Sequence, residues 1–323
     1  MDPSLFEKLN AEGFISDISL QKIKDKSQQQ QLFSVHWELK IILYLGVMLL
    51  TTGLGILVYK NIDTIGHEAV LTLIALLSVG SYFYCYKKKL PFSTQKVEST
   101  DPFVDYLLLL SCLCFIIFIG YWQYQYHIFG DRFGLATFIP MIVLFFSAYY
   151  FDHLGILCLA ITNLAAWLGI LVTPTRILKE NDFNSSTIIY TGLLLGVFLI
   201  LMGIASRKRK IKAHFEFTYS NFGTHILFIS CLAGLFHFEH IYMLWFLLLI
   251  GICGYFYREA VQTKSFYLLL VLTLYFYIGL SDIVIQILLS NLTFYGPYLV
   301  CLYFIASAVA LVVFLINMNR KLK

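Results

Sequence analysis

The side chains able to do chemistry in this sequence are few, and most sit in short stretches between apolar runs. Asn61, Asp63, His67 and Glu68 fall in one such stretch. His127, Asp131 and Arg132 fall in a second, and His237, Glu239 and His240 in a third. Imidazoles and carboxylates are the residue types that ligate a divalent metal. However, His237-Phe238-Glu239-His240 matches no zinc signature, and ring nitrogens so close in sequence diverge on a helix. His67, Glu68, His127, His237, Glu239 and His240 are therefore weak metal candidates only, and no cofactor is expected.

A second group lies inside the apolar runs, where a polar side chain is costly and by default a functional candidate. Asn163 stands near the middle of one run with Trp167 one turn on. Its ordinary role is an interhelical hydrogen bond of about 1 kcal/mol, and its alternative role is to line a cavity. Asp282, with Gln286 on the same helical face, could take up a proton or cation, or pair with Arg132. His225 is read as a hydrogen-bonded packing residue. Asp152-His153 in a tight turn could be an acid–base pair, but Asp also favours a helix start. There is no HExxH, GxSxG, phosphate-binding glycine loop or paired Asp-rich motif.

The elements that position these residues follow from composition. The chain is 59% hydrophobic and 13% charged, with mean hydropathy +0.77. Soluble domains carry about 25% charged residues. Ten apolar runs are long enough to cross a bilayer core of about 30 Å as helices. They are Leu39–Tyr59, Ala69–Tyr86, Val104–Trp122, Leu135–Phe151 and Leu154–Val172, then Ile188–Ala205, Tyr219–Phe238, Ile241–Tyr257, Ser265–Ile283 and Tyr295–Ile316. The runs are apolar on all sides, which excludes the period-two alternation of barrel strands. The expected fold is all-α: a polytopic transmembrane bundle over 39–318, in halves 39–172 and 188–316, with a basic tail at 319–323.

Charge orients the bundle. With the N-terminus inside, all of the 23 lysines and arginines except Lys60, Arg132, Arg176 and Lys179 fall on the inner side. Positive loops stay cytoplasmic during insertion, so both termini are expected inside a bacterial cytoplasmic (inner) membrane. The basic loops then serve topology and lipid headgroups, and no nucleic acid is expected. The seven cysteines all lie within the runs and imply no disulfide framework. Gly192-x-x-x-Gly196 permits close helix approach, with homo-oligomerisation as one outlet.

Residues 1–38 form an amphipathic head. Leu5 and Leu9 make one apolar face, Gly13 ends that helix, and Ser16 or Asp17 can cap a second one. Two helices this short cannot bury a core alone, so the head needs the membrane surface, the inner loops or a protein partner.

Two segments carry a family resemblance. One is Leu5-Phe6-Glu7-Lys8-Leu9-Asn10-Ala11-Glu12-Gly13-Phe14-Ile15-Ser16. The other is the glycine-bearing first span, Leu45-Gly46 through Gly53-x-Gly55, closing on Asn61-Ile62-Asp63. Over about residues 5–85 the chain resembles the DUF2157 family of uncharacterised bacterial membrane proteins. That family often has Asn-Trp-Asp where Ile62 stands here. The resemblance implies a membrane protein and carries over no catalytic residues.

Three functional readings follow. The first is a non-enzymatic scaffold or accessory subunit that docks a partner through its head. The second is a small-molecule or lipid transporter with a polar site near mid-membrane. The third is an intramembrane enzyme using the outer His and Glu groups.

Overall fold

The computed structural model describes residues 10, 12, 15–17, 19–21, 35–97, 102–172, 185–291 and 296–322, except for the side chains of 35–40, 57–59, 61–65, 290–291 and 321–322. The expected apolar face at Leu5 and Leu9 and the Gly13 stop lie outside the described residues. Within the head, Ser16 caps a helical turn: its Oγ accepts from the backbone N–H of Ser19 at 3.4 Å. The Asn10 amide closes the preceding turn by donating to Ile15 O and to Asp17 Oδ1, both at 3.0 Å.

Ten α-helices follow among the described residues: α1 (Val35–Ile65), α2 (His67–Lys88), α3 (Pro102–Tyr126), α4 (Phe133–Phe151), α5 (Leu154–Val172), α6 (Ser186–Arg209), α7 (Phe215–His237), α8 (Tyr242–Gln262), α9 (Phe266–Asn291) and α10 (Gly296–Leu322). Among the described residues, nine helices are long and apolar enough to cross a membrane, and α1 carries a shorter apolar stretch, Ile41–Ile56. Large apolar side chains such as Leu76, Leu194, Leu201 and Ile305 point outward, as they would toward lipid rather than water. The protein is a polytopic helical bundle.

One boundary differs from expectation. Asn61 and Asp63 were read as loop, yet they belong to α1, which runs on to Ile65. The loop between α1 and α2 shrinks to Gly66, whose φ of +85° is disfavoured for residues with a Cβ. Helical backbone does not stop where apolar character stops; here it stops at the glycine.

The helices form two compact units. The first comprises Met1–Lys89 with Glu98–Phe118. Its core holds Val70, Ile74 and Cys114. Ser78 Oγ donates to Ser111 O at 3.0 Å and Ser111 Oγ donates back to Ser78 O at 2.7 Å, which ties α2 to α3.

The second unit comprises Leu90–Val97 with Ile119–Lys323. Its central element is α7, with 56% of its apolar window buried against 0% for α10. Glycines set the spacing of its neighbours. A Cβ on Gly192 would strike Ser230 Oγ, and one on Gly196 would come within 2.9 Å of the Leu227 backbone. The GxxxG pair is thus used inside the chain, for α6 against α7. Likewise Gly234 of α7 accepts the Trp245 ring of α8, and Gly279 of α9 accepts Leu249.

Candidate functional site

A buried ion pair organises one end of the second unit. Asp152 occupies the two-residue turn between α4 and α5 in a left-handed conformation, φ 59°. Its side chain is only 2% exposed, and that of Lys212 only 1%. Asp152 Oδ2 accepts from Lys212 Nζ at 3.1 Å and from the backbone N–H of Val97 at 2.6 Å. Oδ1 accepts from His214 Nε2 at 2.7 Å. Lys212 in turn donates Nζ to Gln95 O at 3.3 Å and its backbone N–H to Thr94 O at 2.7 Å. Ser206 Oγ closes the turn below, its one proton shared between Ile211 O at 2.8 Å and Lys212 O at 3.0 Å. Two charges removed from water are tolerable only when each is paired and hydrogen-bonded, and both conditions hold here. These bonds also explain why Leu90–Val97 clusters with the second unit.

The helix-start role expected of Asp152 belongs instead to its neighbour. His153 Nδ1 accepts from the backbone N–H of Ile156 at 3.2 Å, capping α5. Asp152 is drawn away by a lysine and a histidine about sixty positions later, a pairing that local pattern cannot reveal.

His214 also forms part of a cleft of about 370 Å³. Four helices build its walls. Arg207 ends α6, and Glu216, Phe217, Asn221 and Thr224 lie on the first half of α7. Glu259 comes from the last turns of α8 and Tyr267 from the first turn of α9. Arg207 Nη1 and Glu216 Oε1 pair at 2.9 Å. Behind the wall runs a chain of hydrogen bonds. Tyr267 OH donates to Asn221 Oδ1 at 2.8 Å. Its single proton is thereby committed, so His225 Nε2 must donate to the Tyr267 oxygen across their 3.1 Å contact. The other ring nitrogen, Nδ1, then accepts from Tyr275 OH at 2.9 Å. His225, read from sequence as packing, is hydrogen-bonded as expected, and its partners connect it to the cleft.

The other candidates are dispersed. Asn163 donates to Leu159 O of its own helix at 3.2 Å. Trp167 packs on Phe138, ring centres 5.0 Å apart. The Asp282 carboxylate accepts from Gln286 at 2.9 Å, one turn along the same helix. None of these four lines the cleft. The side chains of Asn61 and Asp63 lie outside the described residues. His67 and Glu68 belong to the first unit, whereas His127, His237, Glu239 and His240 belong to the second. His237 Nε2 contacts Ser186 Oγ at 3.1 Å, and His127 sits edge-on to Phe133. Among the described residues, no three His, Cys, Asp or Glu side chains group so as to hold a metal. Sequence reasoning missed Lys212, His214, Glu259 and Tyr267. Lys212 reads as one more charge in the basic stretch after α6, and its burial appears only when Asp152 is placed beside it.

The fold and its outward apolar surface define the class, a multi-span helical membrane protein. Over residues 7–157 the chain matches the family described as "Predicted membrane protein (DUF2157)", the family it resembles at its N-terminus. No curated protein and no solved structure matches the chain. The matched stretch includes Asp152 and ends before the helices that line the cleft.

Proposed function

We propose that this protein binds a small polar or amphiphilic ligand at the cleft between α6, α7, α8 and α9, as a transporter or lipid-handling protein of the cytoplasmic membrane. The observation that carries this reading is the cleft itself. It is a cavity of about 370 Å³ with charged and aromatic walls at the end of an otherwise apolar bundle. Binding sites combine an apolar body with a few convergent polar groups in this way. A cytoplasmic-facing cleft is supported by the basic run Arg207-Lys208-Arg209-Lys210, of which Arg207 lines the cleft, since positive segments stay inside during insertion. The polar site of this reading thus lies near the cytoplasmic end rather than at Asn163 or Asp282.

Cysteine accessibility tests it. Asn221→Cys and Asn163→Cys are placed separately in a Cys-free background and treated with a membrane-impermeant thiol reagent in inside-out vesicles. The expected result is labelling at 221 and protection at 163. Protection at 221 would remove the cleft from contention, and labelling at 163 would instead restore an aqueous path to mid-membrane.

A further inference from the structure

We propose that the ligand of this cleft carries a protonated primary amine. The assignment rests on the cleft reading above and names the chemistry of its ligand.

Charge is the first argument. Arg207 is already engaged by Glu216 at 2.9 Å. Glu259 lines the same cavity within the field of Arg207, and among the described residues it forms no salt bridge of its own. The three groups together leave one negative charge without a counter-ion.

Hydrogen bonding is the second and independent argument. A hydroxyl has one proton to give. Thr224 Oγ1 gives its proton to Ser220 O at 2.7 Å, and Thr263 Oγ1 gives its own to Glu259 O at 2.8 Å. Tyr267 OH gives its proton to Asn221 Oδ1 at 2.8 Å. All three hydroxyls line the cleft, and they can offer an incoming group only lone pairs. At these three positions a carboxylate or phosphate would find no donor. An ammonium group, with three donors and no acceptor, has the complementary inventory.

The aromatic walls are the third. Phe217 and Tyr267 stand with ring centres 6.3 Å apart and planes tilted by 49°. Ring faces attract a cation and repel an anion. The same ammonium chemistry is found on the ethanolamine headgroup of a phospholipid and on a free alkylamine, and the lipid arm of the test separates them.

The test uses the full-length protein in phosphatidylglycerol nanodiscs, titrated with n-butylammonium and, in parallel, with butyrate. The expected result is binding of n-butylammonium and not of butyrate. Glu259→Gln should weaken it about 10-fold or more, as loss of a charged hydrogen-bond partner does, while Glu259→Asp retains most of it. Phe217→Leu, at a position too exposed to threaten folding, should weaken it about 2- to 5-fold. Exchange to phosphatidylethanolamine nanodiscs should raise the apparent n-butylammonium Kd if the lipid headgroup is the ligand, and leave it unchanged if a free amine is. Binding of butyrate, or amine binding indifferent to both Glu259→Gln and Phe217→Leu, overturns the ammonium assignment while the cleft reading stands. No binding of either probe overturns the assignment too, and with Asn221→Cys also protected, the cleft reading falls with it.

Discussion

The ammonium of Lys212 and the carboxylate of Asp152 lie 3.1 Å apart with both side chains almost wholly buried. They come from different turns, one after α6 and one after α4, and together they hold the backbone of residues 94–97. Each charge depends on the other for its solvation. The pair fixes three chain segments at one point, and its value lies in that placement more than in net stabilisation.

Removing one partner alone should therefore be severe. Lys212→Met leaves the carboxylate buried with only the Val97 N–H and His214 as donors. It should lower stability by about 3–5 kcal/mol, whereas Asp152→Leu combined with Lys212→Met should recover much of the loss. A double-mutant cycle on thermal or denaturant unfolding in detergent measures this coupling. Additive losses would show that the two side chains act independently.

The α6–α7 contact gives a second prediction. Gly196→Ala places a methyl group within 2.9 Å of the Leu227 backbone, which has no room to yield. A loss of about 1–3 kcal/mol is expected from overpacking. Gly251→Ala and Gly254→Ala on α8 are the controls, since a Cβ at either meets nothing within 4 Å. They should be neutral or stabilising by up to about 1 kcal/mol, as alanine is the better helix former. Unfolding midpoints of the three variants decide it.

Ser78 and Ser111 make reciprocal bonds to each other's carbonyls. Each hydroxyl should contribute on the order of 0.6 kcal/mol, the usual scale for polar contacts between membrane helices. Because both bonds need the same close approach of α2 and α3, Ser78→Ala with Ser111→Ala should cost less than the two single changes added together. The same unfolding assay reports this as a non-zero coupling energy.

The hydrogen-bond chain through His225 specifies a tautomer. With Tyr275 donating to Nδ1 and Nε2 donating to Tyr267, the neutral ring should carry its proton on Nε2. Side-chain nitrogen NMR on selectively labelled protein distinguishes the two forms by their shifts. Tyr275→Phe removes the donor to Nδ1 and should let the Nδ1-protonated form appear. A wild-type spectrum already showing that form would contradict the proposed bond directions.

Much of this architecture was legible in the residues. Apolar runs marked where helices cross, and their ends agree with the structure within a few residues over most of the chain. Hydropathy sets the end of α1 too early, at Tyr59, where it falls while the helix runs on to Ile65. The GxxxG pair announced a close approach but not its partner, because a small residue records that something is near without recording what. Lys212 and Asp152 were visible only as an expected topology charge and an expected cap. Burial of a charge depends on its partner's position in space, and no local period encodes a contact between residues sixty positions apart. The cleft was illegible for the same reason: its wall takes one to several residues from each of four helices.

The glycine face of α6 has a consequence for how the chain is made. Until α7 emerges, Gly192 and Gly196 present a bare strip of backbone to whatever else is in the membrane. The turn between the two helices is only residues 210–214, so α7 follows directly. At roughly 5–20 residues per second of synthesis, the strip waits a few seconds for its partner. A ribosome stalled within α7 would prolong that interval and leave a nascent protein able to adhere to other helices. Slow or interrupted translation between Arg209 and His237 should therefore be the stage at which this protein is most prone to misassembly.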